Sequence, residues 1–163
     1  FKQKTAYEIS ACLVGSEMCI RDRLIYFKMR ALAEAPRLLL HYTELDYKDI
    51  MSWDYYGKEW SEIKSKVPFR QLPMLVVDQK HEICQSIAIL TFIEKIAGIE
   101  ISDPILNAKA NAIMQSAQEL FMPHNPTVNF AKGEKFIKKK DNFSNFAIKS
   151  GYLINFLQKS NFI

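Results

Sequence analysis

The sequence predicts a mixed α/β domain of βαβ then ββα order, followed by an all-α domain. Three observations carry this reading: short β-favouring runs, apolar residues at helical spacing between them, and a change near residue 100 to helices alone.

Leu24 to Phe27 is a short apolar strand, and after it Ala35, Leu38, Leu39 and Tyr42 fall on one helical face. A second strand is expected near Asp46 to Ile50. Ser52 to Lys66 is polar, rich in Trp and Tyr, and without clear periodicity, so it reads as a loop with a short helix. Met74 to Val77 and Lys80 to Cys84 form a hairpin across the turn Asp78-Gln79. Ser86 then caps a helix with apolar positions Ile87, Leu90, Ile93 and Ile96, which stops at Gly98. Ile99 to Ser102 is the linker. Asp103-Pro104 joins an N-cap residue to the residue favoured at the first helical position. Ile105, Ala108, Ala112, Ile113, Ala117 and Leu120 continue that helix, and Pro123 and Pro126 kink or end it. Phe143, Phe146, Ala147, Ile154 and Leu157 outline another.

Of the 163 residues, 48% are hydrophobic and 25% charged, the balance of a globular chain rather than a disordered one. No run approaches the roughly 18 apolar residues of a membrane-spanning helix, so no membrane partner is expected. The opening segment needs separate treatment. In codons, Lys2 to Ile9 fits a flow-cell primer of short-read DNA sequencing. Leu13 to Asp22 fits the read adapter and transposon end that follow it, in the same frame. Residues 1–23 are therefore read as translated adapter DNA, and Glu17 and Arg21-Asp22-Arg23 do not suit a signal peptide. The net charge of +4 then falls to +3, too small an excess to argue for nucleic acid. Of the three cysteines, Cys12 and Cys19 lie in that segment; Cys84 alone supports neither a disulfide framework nor a CxxC pair. A reducing, cytoplasmic setting is expected, with Cys84 a small buried hydrophobe.

Several residues then fall in a distinctive order: Leu24-Ile25-Tyr26-Phe27, Ala33-Glu34, Trp60 with Lys64, Pro68-Phe69, Gln71-Leu72-Pro73, and Gln85-Ser86. Together they resemble the cytosolic glutathione S-transferases, most of all the sigma-class group. The resemblance covers nearly all of residues 24–98 and weakens beyond. It implies a thioredoxin-like glutathione-binding domain at 24–98 and part of an all-helical domain at 103–163. It also implies glutathione as co-substrate with no metal, an electrophilic small-molecule partner, and a homodimer. Tyr26 becomes the hydroxyl that donates to the glutathione sulfur. Trp60, Lys64, Gln71, Leu72, Pro73, Gln85 and Ser86 become its binding residues, with a cis bond before Pro73, and Glu119 an acid reaching glutathione on the partner subunit.

Read alone, the same residues have plainer roles. Tyr26 suits a strand, a Leu-Pro bond is ordinarily trans, and Ser86 caps a helix. Trp60 is an anchored surface aromatic, Lys64 a solvated cation and Glu119 an exposed helix glutamate.

Departures from the resembled pattern are equally specific. Ala31-Leu32 stands where a Gly-Arg pair is usual, and Arg70-Gln71 replaces a glycine and a basic or polar residue. The chain also stops at Ile163, where such proteins continue, so a truncated fragment is expected. The function read from this pattern is conjugation of glutathione to largely apolar electrophiles. The alternatives are a non-catalytic crystallin-like relative and a sigma-like prostaglandin isomerase. A thioredoxin or glutaredoxin reading fails for want of a cysteine at the end of the first strand.

Overall fold

The computed structural model of the protein describes residues 22–125, 132–134 and 142–159. Residues 1–21 of the adapter-like segment, Pro126, and the side chains of Phe143, Phe146 and Ala147 lie outside that description. The chain divides between Gly98 and Ile99 into two compact units.

Four strands build the first unit: β1 (Arg23–Tyr26), β2 (Lys48–Met51), β3 (Met74–Val77) and β4 (His81–Cys84). Their order is β2-β1-β3-β4, with β1 parallel to β2 and antiparallel to β3, and β3 antiparallel to β4. The central strands are covered on both faces, since Leu24, Ile25 and Tyr26 and all four residues of β3 are buried. The edge strands are half exposed, which follows from their more polar sequences. β1 begins one residue earlier than its apolar run, at Arg23, which pairs with Lys48 and Val76. Ladder bonds are backbone bonds, so a charged side chain does not prevent this pairing. In the hairpin turn both Asp78 and Gln79 take positive φ, and the Lys80 amide donates to the Val77 carbonyl at 3.0 Å.

Helix α1 (Glu34–Tyr42) connects β1 to β2. Its buried face is not the expected one: Ala33, Pro36 and Leu40 turn inward, while Leu38 and Tyr42 are 62% and 77% exposed. Leu38-Leu39-Leu40 spans most of the helix circumference, so spacing alone did not choose a face. Pro36 sits in the first turn, where its missing N–H removes no helix bond. Ser52 to Lys66 is more ordered than a loop. It holds α2 (Ser52–Tyr56), ended by Gly57 at φ 64°, then α3 (Trp60–Ile63) and a 3₁₀ turn at Lys64–Lys66. Helices of about one turn are too short to show a period.

Helix α4 (Ser86–Ile96) packs on α1 and on β3 and β4. Ile89 and Ile93 are its fully buried residues, whereas Ile87, Leu90 and Ile96 are only half-buried. The capping expectation also needs correction. Gln85, at φ 74°, is the residue preceding the helix, and Ser86 is its first residue, buried rather than capping. The chain makes its turn out of β4 at Gln85, one residue before a serine cap would place it. Gly98 takes a positive φ just past the helix, as its sequence position suggested.

In the second unit, α5 (Pro104–Phe121) opens on Asp103, whose carboxylate accepts from the Ile105 and Leu106 amides at 2.9 and 2.8 Å. It packs against α6 (Asn142–Lys159). No helix among the described residues is long and apolar enough to cross a membrane.

Candidate active site

Strand register decides which residues meet. Ile25 pairs with Met74, and Met74 with Cys84, so Leu72-Pro73 and Gln85-Ser86 leave the sheet at the end of β1 where Tyr26 lies. Tyr26 also pairs with Met51, which brings the entry to α2 to the same end.

Tyr26 is 3% exposed. Its hydroxyl oxygen accepts the Leu32 amide at 3.3 Å, from the loop between β1 and α1. Burial raises the phenol pKa above its ordinary value; the Leu32 hydrogen bond and the nearby Arg37 charge oppose the rise. The phenol is therefore protonated near neutral pH. With an N–H donated into its oxygen, its own proton is available to an acceptor.

Phe27 links that phenol to the neighbouring helix. Its ring lies 5.3 Å from the Tyr26 ring and 5.3 Å from that of Trp60, edge-to-face at 85° in the second pair. Trp60 is half-buried by this contact, and Lys64, in the turn after α3, is exposed. Leu72 and Pro73 are buried and joined by a cis peptide bond. Gln71 and Gln85 are exposed and hydrogen-bonded through their side chains at 3.2 Å, which ties the strand entering β3 to the turn leaving β4. Beside them Ser86 is buried.

The loop before Gln71 takes an unusual course. Phe69 and Arg70 have φ of 56° and 54°, and Ala31 has φ of 40°. Arg70 and Ala31 are the two positions where a glycine was expected, so the left-handed backbone is present without the residue that adopts it most readily.

Glu119 is exposed on α5 in the second unit, where it lines a 310 Å³ cleft with Ser116, Lys149 and Tyr152. Cys84 is buried, and burial pushes its thiol pKa up, which suits the small hydrophobe expected. Sequence reasoning missed Arg37 and the ring contacts of Phe27. Arg37 had one local signal, its three-residue spacing from Glu34, with which it forms an ion pair at 3.6 Å.

A βαβ–ββα sheet with a cis-proline entering its third strand defines a thioredoxin-like domain, here followed by helices. Residues 22–95 match the glutathione S-transferase N-terminal domain, and that segment belongs to this domain family. It is 33% identical over 100 residues to hematopoietic prostaglandin D synthase of Gallus gallus, covering 61% of this chain and 48% of that protein. To glutathione S-transferase 1 of Ascaris suum it is 28% identical over 117 residues, covering 69% and 55%. Among solved structures it resembles a monomeric glutathione S-transferase of the hookworm Necator americanus, with a TM-score of 0.66 and 26% identity over 86% of this chain and 69% of that one. The chain spans about half the length of these two curated relatives.

Proposed function

We propose that the protein transfers the thiolate of glutathione to electrophilic, largely apolar substrates, with Tyr26 donating a hydrogen bond to the sulfur. A free thiol with a pKa of about 8.5 is mostly protonated at neutral pH, whereas the thiolate is the nucleophile. A donor to the charged form lowers that pKa, and a shift of about two units is worth about 2.7 kcal/mol. The buried, protonated phenol of Tyr26, already accepting the Leu32 amide, suits this role.

The remaining roles are those that the glutathione-transferase resemblance implies. Leu72 offers its backbone as a short edge to the cysteinyl unit, in the manner of β-augmentation. Gln85 and Ser86 receive the γ-glutamyl carboxylate at the start of α4, where the helix dipole favours an anion. Trp60 and Lys64 hold the glycyl end, Lys64 by charge, and Gln71 lies along the glutathione backbone. Residues 24–98 then form the glutathione-binding domain, 103–163 part of the helical domain, and 1–23 an adapter-derived segment. A cytoplasmic homodimer, with Glu119 reaching the partner's glutathione, completes the reading.

The observation that carries it is the convergence of Tyr26, Leu72-Pro73, Gln71-Gln85 and Ser86 at one end of the sheet. Calorimetric titration with glutathione tests it: Gln85→Ala is expected to weaken binding about tenfold, the loss of hydrogen bonds to a charged group. Equal affinity in the two chains would remove Gln85 from the site. Leucine in place of arginine at position 32 favours a second reading, a non-catalytic glutathione-binding relative. That protein would bind glutathione without lowering the pKa of its thiol.

A further inference from the structure

Arg37 projects from α1 with its side chain 17% exposed. Its Nε donates to Asp49 Oδ2 of β2 at 2.6 Å and its Nη2 to Oδ1 at 3.3 Å, a bidentate grip. Its Nη1 donates to the Met29 carbonyl at 2.9 Å. The guanidinium carbon lies 5.8 Å from the centroid of the Tyr26 ring, within the range of a cation–π contact. One cation therefore joins α1, the edge strand β2 and the loop after β1, and it faces the phenol. That loop carries the Leu32 amide bonded to the Tyr26 hydroxyl.

We propose that Arg37 is a positioning residue for thiolate chemistry. It fixes the loop that orients the Tyr26 hydroxyl, and it holds positive charge beside that phenol in a chain with leucine at position 32. The inference rests on the Tyr26 reading above. Donation from Leu32 polarises the phenol and strengthens it as a donor, so freeing the loop weakens the bond to sulfur. The other charged or titratable groups around this point are Glu34 on α1, itself paired with Arg30, Asp49 on β2, and Tyr47 before it. The two carboxylates lie on the side of Arg37 that they bind, and the Tyr26 phenol responds to the Arg37 charge.

The test is an ultraviolet titration of the thiolate on the 163-residue chain saturated with glutathione, for wild type, Tyr26→Phe, Arg37→Gln and the double variant. Arg37→Gln is expected to raise the midpoint by about half a pH unit, roughly a threefold loss of thiolate below it. Arg37→Lys, which keeps the charge but not the fork, is expected to shift it less. In the Tyr26→Phe background, Arg37→Gln should add nothing, because its effect runs through the phenol. An unshifted midpoint in Arg37→Gln, or a shift that persists without the phenol, overturns the role of Arg37 and leaves Tyr26 in place. A wild-type thiol with an ordinary midpoint overturns both readings. Should Arg37→Gln fail to fold, Asp49→Asn, which removes the bidentate partner while leaving the guanidinium charged, decides by the same cycle: a raised midpoint that vanishes in the Tyr26→Phe background supports the role, and an unshifted midpoint, or a shift that persists in that background, overturns it.

Discussion

Ala31 and Arg70 sit in left-handed backbone at the positions where glycine was expected. The loop geometry is thus kept by the surrounding structure rather than by the residues within it. Left-handed backbone costs a side-chain-bearing residue about 1 kcal/mol, whereas glycine loses about 0.5 kcal/mol more in folding entropy. Ala31→Gly is therefore expected to stabilise the protein by about 0.5 kcal/mol, read from the midpoint of urea unfolding. A lowered midpoint would contradict this. At the same scale, the strand position of Tyr26 was legible because it lies within the apolar run Leu24 to Phe27. Its partners were not, because the Leu32 amide is a backbone group and Arg37 reaches Met29 and Asp49 only once the chain is folded.

Elements announced by local chemistry were legible. Asp103-Pro104 opens α5 with both carboxylate bonds in place, and Gly98 follows α4 in the left-handed region. Elements whose orientation depends on partners were misread. In α1 the inward choice between Leu38 and Leu40 rests on packing against α4, and in α4 the expected Ile93 is buried together with Ile89 rather than with Ile87, Leu90 and Ile96. The corrected face makes a contrast: Leu40→Ala is expected to cost about 2 to 4 kcal/mol, and Leu38→Ala under about 0.5 kcal/mol. Comparable losses in the two variants, measured by denaturant unfolding, would restore the original face. The Ser86 correction is of the same kind, since the positive φ of Gln85 sets where the helix starts.

Across the whole molecule, the proposed site is assembled from segments centred on residues 26, 60, 72 and 85. The strand ladder brings three of them to one end of the sheet. Trp60 joins through Phe27 instead. Their order along the chain was legible as a family pattern; the Gln71–Gln85 bond and the aromatic contact of Phe27 with Trp60 were not, being products of folding. Ionisation of the bound tripeptide's thiol is the deciding quantity. Thiolate absorbance followed against pH, with glutathione saturating, should show a midpoint about two units below that of free glutathione. In Tyr26→Phe that midpoint should return to the free value with binding retained. The same midpoint in both chains would contradict the account.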